Sequence, residues 1–490
     1  MDIEEEQIRL QKLKNIEKEN INPFPSESRR EIVINDALEK LGENFWLAGK
    51  ITSVRDHGKS KFIDIKDESG NIQVYFKTDI LGEEKYKILN FFDVGDYIEV
   101  HGEIFKTHVG EISIKADDFT ILSKSLSPLP TKWYGLKDID LRYRKRFVDL
   151  QINEDVKKNL EKKSEIISFL RNFMLKKGFI ELETPILQPI PGGATAKPFI
   201  THYNILNNDF YLRVAPELYL KRLIVGGFEK VFEIGRVFRN EGLSRMHNPE
   251  FTMFEFYWAY KDYRFLMQFT EELIYETVLA IAGSSKIDYQ DHQIEFKPPY
   301  PQVSFIKLLK KDSGINILDY QDFESLKKEI QKRKIELNFR EITVWSKLVD
   351  ELYKKISRPK IVQPTFVVDH PLALSPLAKE KNNQPELAQR FQLVCGGGME
   401  IVNAYSELND PLEQEKRIHE QLKMREAGWE ESEMLDSNFI EALKYGMPPT
   451  AGWGMGIDRF TMLLTNQHSI KEIIAFPALK PLGIKNKKDE

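Results

Sequence analysis

Residues 228–259, FEKVFEIGRVFRNEGLSRMHNPEFTMFEFYWA, constrain the fold more than any other stretch. Two runs rich in Val, Ile, Phe, Tyr and Trp, at 230–238 and 251–260, flank a polar loop broken by Gly242 and Asn248–Pro249. Such side chains suit a pleated, half-buried surface, so the stretch predicts strand, loop, strand. A side-chain period of two puts Phe251, Met253, Glu255 and Tyr257 on one face of the second strand. Thr252, Phe254, Phe256 and Trp258 take the other face and read as core. The first face carries a carboxylate and a phenol among apolar neighbours, and Arg239 and Glu241 lie just past the first strand. An acid, a guanidinium and flat aromatics converging on one hairpin are more than core packing asks for.

At 490 residues the chain can bury a large core and predicts about two or three domains. Charged residues at 30% against 41% hydrophobic give a globular balance, and no apolar run is long enough to cross a bilayer. The acidic N-terminus lacks a secretory pattern, and the lone Cys395 excludes a disulfide framework or a multi-cysteine zinc site. These features predict a cytoplasmic protein with no membrane partner. A formal net charge of −5 excludes a general basic coat for nucleic acid but leaves room for local basic strips.

Residues 1–20 alternate charges with Ile3, Ile8, Leu10, Leu13 and Ile16 and predict a weakly amphipathic helix, ended by Pro23 and Pro25. It reads as a solvated helix or as a basic-edged arm that touches RNA. From Trp46 to residue 123, runs such as KFIDIKD, NIQVYFK and YIEVHGEIFK alternate with turns at Gly58, Gly70, Gly95 and Gly110. Five such strands fit a small Greek-key barrel of the OB type. Parity sends Ile63, Ile65, Ile72, Val74, Phe76, Ile112 and Ile114 inward, and Phe62, Gln73, Glu111 and Ser113 outward. An outward Phe with hydrogen-bonding neighbours is either a stray surface aromatic or a platform on which single-stranded bases stack. Residues 124–150 read as a linker. Its cluster of Arg142, Arg144, Lys145 and Arg146 fits a solvated helix face or a phosphate contact.

Ile166, Ile167, Leu170, Phe173 and Met174 recur at helical spacing within 157–177, and Gly178 stops that helix. FIELETPIL reads as a strand ended by Pro185, and PGGATAKPF as a loop that brings backbone close to something small. Residues 262–284 and 411–427 predict helices, and 303–358 an all-helical insertion with no evident chemistry. RFQLVCGGGMEIVNAYSELND reads as strand-rich. In AGWGMGIDRF, glycines end a strand at Gly454–Gly456 before Asp458 and Arg459 open a helix.

Three pieces of this text resemble the signature motifs of class II aminoacyl-tRNA synthetases: GFIELETPIL ending on Pro185, the FRNE…HNPEFTMFE hairpin, and GMGIDR. The finer resemblance is to the lysyl-tRNA synthetases of subclass IIb. It is carried by IPGGATAKPF, RVAPELYLKRLIVGGFEKVFEIG, NAYSELNDP and LRYRKRFVDL, and covers nearly the whole chain. It implies an α+β protein: a helical extension over 1–45, an OB-type five-stranded β-barrel over 46–123 that binds the anticodon, the linker over 124–150, and a catalytic domain over 151–490. That domain would be an antiparallel sheet flanked by helices, with the helical insertion at about 303–358. The sequence holds neither G-x-x-x-x-G-K-[ST] nor a strand–GxGxxG–helix unit, so a nucleotide must be held by other means.

The implied reaction has two steps. The lysine carboxylate attacks the α-phosphate of ATP, giving lysyl-adenylate and pyrophosphate, and the 3′-terminal ribose of tRNA(Lys) then takes the lysyl group. Both steps depend on positioning and charge stabilisation. By match to the family motifs, Arg239 clamps the α-phosphate and the substrate carboxylate, a task suited to a rigid guanidinium fork. Without the motif, a structural ion pair would be the better reading of Arg239. Glu241 and His247 would meet the adenine edge and the phosphates. Phe251 would stack on the adenine, with Arg459 on its other face; Arg239 and Arg459 form the catalytic pair. The lysine set is Gly193, Glu217, Arg239, Glu255, Tyr257, Asn403, Tyr405 and Glu407. Within it, Glu255 and Glu407, helped by Tyr257, take the side-chain ammonium, and Glu217 with the Gly193 carbonyl takes the α-amino group. A buried carboxylate left unpaired costs roughly several kcal/mol, so neutral analogues are rejected.

The resemblance also implies Mg2+ bridging the ATP phosphates through Glu400, with Gln392 where the family has its other carboxylate. Glu400 has the opposite parity to Asn403 and Glu407, so reaching the site requires a bulge or irregularity at Gly396–Gly398. Phe62, Gln73 and Glu111, with Arg55 nearby, match the family's anticodon readers, and parity independently puts those three on one face. Motif 1 around Pro185 implies a homodimer. Two other readings are weaker. A paralogue that lysylates a protein would lack the barrel, and a catalytically dead RNA scaffold would not keep Arg239, Glu241, Glu255, Glu407 and Arg459.

Overall fold

Five strands near the N-terminus close into a barrel: β1 (Asn44–Asp56), β2 (Ser60–Lys66), β3 (Asn71–Lys77), β4 (Tyr97–Lys106) and β5 (Ile112–Ser123). Their order around the barrel is β1-β2-β3-β5-β4. The computed structural model describes residues 3–129, 138–426 and 434–482. The chain divides into two compact units, Met1–Lys137 and Asp138–Glu490.

The barrel interior follows from parity: Ile63, Ile65, Ile72, Val74, Phe76 and Ile114 are buried in one apolar cluster. Helix α1 (Ile3–Lys18) is not solvated all round. Ile16 joins the barrel core, Arg9 donates to the carbonyls of Val94 (3.1 Å) and Ser125 (3.2 Å), and Lys12 pairs with Asp93 at 2.5 Å. One face of the helix is therefore used by its own unit.

The second unit is built on an eight-stranded sheet. In spatial order its strands are Gln302–Ser304, Thr365–Val368, Arg390–Cys395, Met399–Ser406, Thr450–Gly456, Glu250–Ala259, Lys230–Phe238 and Ile180–Glu181. Only the two outermost pairings are parallel; every inner pairing is antiparallel. Phe254 and Phe256 sit on one sheet face, and Phe256 stacks on Trp453 at 5.0 Å between ring centroids. Helices Glu154–Lys176 and Tyr263–Ala282 cover that face with Ile166, Leu170, Phe269 and Leu273. Asp262 caps the second of these by accepting from the Phe265 N–H, and left-handed Gly283 ends it. The opposite sheet face is left open as a cavity.

Three expectations change. The FIELETPIL strand is only Ile180–Glu181, because Thr184 turns away and donates its N–H (3.1 Å) and hydroxyl (2.7 Å) to Glu233. The stretch after residue 137 is helical, over Ile139–Arg144 and Arg146–Ile152, while residues 130–137 lie outside those described. The arginines there are already engaged within the chain. Arg146 is fully buried against Asp149 (2.6 Å) and the carbonyls of Ala475 and Lys471; Arg142 pairs with Asp149 and Glu472, and Arg144 with Asp140. A phosphate contact by that cluster is not what the structure offers. The insertion is helical (Phe305–Ser313, Phe323–Lys332, Trp345–Ile356) around Leu309, Leu326, Leu348 and Leu352. Among the described residues, no helix is long and apolar enough to cross a membrane.

Candidate active site

Three adjacent strands make the floor of the cavity, with Glu255, Gly454 and Asn403 in register and, beside them, Tyr257, Gly452 and Tyr405. Gly452, Gly454 and Gly456 line the cavity while Trp453 and Met455 enter the core. These glycines form a bare strip along one face of the Thr450–Gly456 strand, which ends at Gly456 as expected, before the Ile457–Leu464 helix. A Cβ on Gly452 would overlap Glu407 Oε1 and lie 2.5 Å from the Tyr257 ring. The alternation Gly-Trp-Gly-Met-Gly is the legible signal. The cavity holds about 300 Å³.

At one end lie the carboxylates. Glu217, Glu255 and Glu407 are all buried. Glu217 opens the Glu217–Val225 helix, and Gly193 packs so closely on it that a Cβ there would lie 2.7 Å from the Glu217 Cβ. Glu217 Oε1 accepts from the Tyr405 hydroxyl at 2.6 Å and from Lys221 Nζ at 2.6 Å. Lys221 also contacts Glu407 Oε2, and that ion pair is fully buried. The Tyr257 hydroxyl points to Glu255 at 3.4 Å. Burial pushes Glu255 up to about 8, reinforced by Glu217 and Glu233 and opposed by Arg239 and Arg213. Asn403 accepts from Arg390 at 2.8 Å, so its amide is held from behind. Reasoning from the sequence misses Lys221, although an E-x-x-x-K spacing on the otherwise apolar ELYLKRLIV helix is there to be read.

At the other end lie the cations. Arg239 sits over the Phe251 ring at 5.1 Å, and its buried Nε has no hydrogen-bond acceptor among the described residues. Arg459 donates to His247 Nε2 at 3.0 Å, so the ring's proton is on Nδ1, toward Ser244 Oγ at 2.8 Å. Burial and the nearby Arg459 and Arg239 push His247 down to about 4, leaving it neutral at physiological pH. Arg459 is held at the start of its helix by Asp458, which accepts from the Thr252 N–H at 2.7 Å and pairs with buried Lys163. Glu241 and Glu400 also line this end. The helical insertion brings charge to this end: Arg358 lies 4.0 Å from Glu400, and Lys354 and Arg358 add to the positive field at His247. Local sequence holds no signal for that reach. It depends on the left-handed Gly396–Gly398 turn, whose N–H groups bond the carbonyls of Ile361 and Val362 and dock the segment beside Arg358.

Glu400 reaches the cavity, but through a different irregularity from the one expected. The Arg390–Cys395 and Met399–Ser406 strands pair Leu393 with Val402 and then Val394 with Glu400. Ile401 is the extra, bulged residue, and it turns Glu400 back to the cavity face. Gln392 donates its amide to Glu400 at 3.0 Å, and its carbonyl oxygen meets His370 Nε2 at 3.2 Å. Gln392 thus lies between His370 and Glu400 and would offer a metal a neutral oxygen where the family has a carboxylate. Among the described residues, no group of three or more His, Cys, Asp or Glu side chains is placed to hold a metal.

In the first unit, Phe62 lies on the outer barrel face against Tyr75 (5.1 Å) and His57 (5.7 Å). Gln73 is on that face but covered, because its amide spans Glu111 (3.2 Å) and buried Ser113 (3.3 Å). Arg55 is paired with Asp64 at 2.9 Å. Phe62, Gln73 and Glu111 are thus brought together, with Phe62 the open platform.

The chain matches the family of class II tRNA synthetases (D, K and N) over residues 138–480 and the OB-fold nucleic acid binding domain over 45–122. Sheet, cavity and barrel thereby define a class II aminoacyl-tRNA synthetase. The chain is 47% identical over 478 residues to the lysine–tRNA ligase of Pelotomaculum thermopropionicum, covering 97% of this chain and 94% of that protein. It is 47% identical to that of Dehalococcoides mccartyi (96% of each chain) and 45% identical to that of Clostridium tetani (97% and 96%). The chain belongs to the lysine–tRNA ligase family.

Proposed function

We propose that lysine lies along the floor between Glu217, Glu255 and Glu407, with its carboxylate toward Arg239 and ATP beyond it. The chain is an ATP-dependent ligase that activates L-lysine and passes the lysyl group to tRNA(Lys). The observation that carries the residue assignment is Glu255, a buried carboxyl that makes no ion pair among the described residues and lines the cavity with Tyr257 and Gly452, the glycine on which Glu407 packs. An alkylammonium entering there gains two carboxylates and the Tyr257 hydroxyl, whereas a neutral side chain leaves them unpaired. Glu217 takes the α-amino group.

Arg239 then faces both the lysine carboxylate and the α-phosphate and lowers the cost of bringing two anions together. The adenine lies on Phe251 with Arg459 across it. Neutral His247 accepts from Arg459 and keeps that guanidinium aimed. Arg358 and Lys354 favour the departing pyrophosphate through their field. Magnesium accompanying ATP would screen phosphate charge, and Glu400, which lines this part of the cavity, is the carboxylate that would hold it. In the second step the tRNA ribose hydroxyl attacks the adenylate carbonyl and AMP leaves, with Arg239 still on the phosphate. Phe62 offers its ring to an anticodon base.

Ile180, Ile186, Leu187 and Ile200 expose apolar surface around Pro185 and the small Leu187–Gln188, Ile200–Tyr203, Asn208–Leu212 sheet. That surface supports a two-fold homodimer through motif 1. ATP–pyrophosphate exchange with each of the twenty amino acids, with and without tRNA, tests the reading; exchange that does not single out lysine would overturn it.

A further inference from the structure

Lys221 has no exposed surface, and its ammonium is 2.6 Å from Glu217 Oε1 and in contact with Glu407 Oε2. Tyr257, Tyr405 and Phe439 surround it, with ring centroids at 6.0, 5.6 and 5.7 Å. Two of the carboxylates assigned to the substrate thus already hold an alkylammonium of the substrate's own kind. As a device for stability this is a poor choice, because desolvation offsets the attraction within a buried ion pair. As a device for selection it has a clear logic. Glu217, Glu255 and Glu407 carry three carboxylates; one resident ammonium leaves a deficit that the two ammonium groups of lysine fill. Glu407 Oε1 has no hydrogen-bond partner among the described residues and faces the bare strip at Gly452.

We propose that Lys221 is a positioning residue for amino-acid selection, which orients Glu217 and Glu407 and, by like-charge repulsion, closes the gap between them to the substrate's side-chain ammonium. The incoming group is sent instead to Glu255 and the uncovered oxygen of Glu407. That fixes how deep the side chain reaches and separates lysine from homologues one methylene shorter or longer. The carboxylates hold the Lys221 ammonium charged, above the ordinary lysine range. The inference rests on the assignment of this cavity to lysine.

In Lys221→Met, the lysine KM in ATP–pyrophosphate exchange is expected to rise at least about 30-fold while the ATP KM stays within about twofold, and discrimination against ornithine to fall at least about fivefold. Lys221→Arg keeps a cation in the gap and is expected to hold the lysine KM within about fivefold. Lys221→Ala is expected to recover lysine affinity with millimolar ethylammonium chloride and not with equal sodium chloride. A merely structural ion pair would lower the Tm and move both KM values together or neither. Either result overturns the proposal, as does a Lys221→Arg enzyme as impaired for lysine as Lys221→Met. If Lys221→Met does not fold, the arginine variant and the ethylammonium response decide by the same criteria. Wild-type exchange that ignores lysine would instead defeat the assignment of the cavity, independently of Lys221.

Discussion

At the end of the cavity that we assign to the amino acid the charges are buried: Glu217, Glu255, Glu407 and Lys221 are all out of water, and two of the carboxylates share one internal ammonium. At the end assigned to the nucleotide Arg239, Arg459, Arg358 and Glu400 are each half-buried, and the Arg358–Glu400 contact is long, at 4.0 Å. The difference fits the ligands proposed for the two ends. A small cation with one correct neighbour in the amino-acid pool is best chosen where an unpaired carboxylate has no water to fall back on. A triphosphate carries enough charge to be held by a positive field that water only partly screens.

On that contrast, the largest effect belongs to Glu407→Gln. Losing one partner of a buried ammonium is worth roughly 3–5 kcal/mol, so the lysine KM is expected to rise roughly 10²–10⁴-fold, with the ATP KM nearly unchanged. Equal loss of both in pyrophosphate exchange would break the contrast. The next is a pH effect. Below about 8 the empty pocket carries a proton on Glu255, and binding an ammonium there requires its release. The lysine KM is therefore expected to rise as pH falls from 8 toward 6.5, by at most about tenfold per unit, and to level above 8. A flat profile, or calorimetry that detects no proton release on lysine binding at pH 7, counts against a protonated Glu255. Phe62→Ala touches neither end. It is expected to lower tRNA charging roughly tenfold, the worth of one stacked base, and to leave exchange intact. Impaired exchange in that variant would make Phe62 structural. The smallest effect belongs to Arg358→Ala, with a roughly fivefold higher ATP KM and an unchanged lysine KM, as a half-exposed cation near an anion is worth about 1 kcal/mol. An unchanged ATP KM would confine the nucleotide grip to Arg239 and Arg459.

Much of this architecture is legible in the amino-acid sequence. Alternation along Phe251–Trp258 separates cavity from core residue by residue, and the same rule places Phe62, Gln73 and Glu111 on one side of the barrel. Motif resemblance points to Arg239, Glu255, Glu407 and Arg459, which all line or flank the cavity. Other features escape for physical reasons. Gln73 lies on the expected face yet is covered, because period two gives direction and not what packs on top. Arg142 and Arg146 read as a basic strip, but acids and carbonyls from the distant 471–475 segment take them up.

The sequence by itself determined which side chains share a strand face and which helices carry an apolar stripe, since both follow from the local backbone period. Only the tertiary structure decided which of those faces meet. The Ile401 bulge returned Glu400 to the cavity, the Gly396–Gly398 turn brought Arg358 of the insertion to it, and sheet order set Glu407 against Lys221. Charges find partners through space, and the chain's spacing does not encode that distance until the sheet has closed its order.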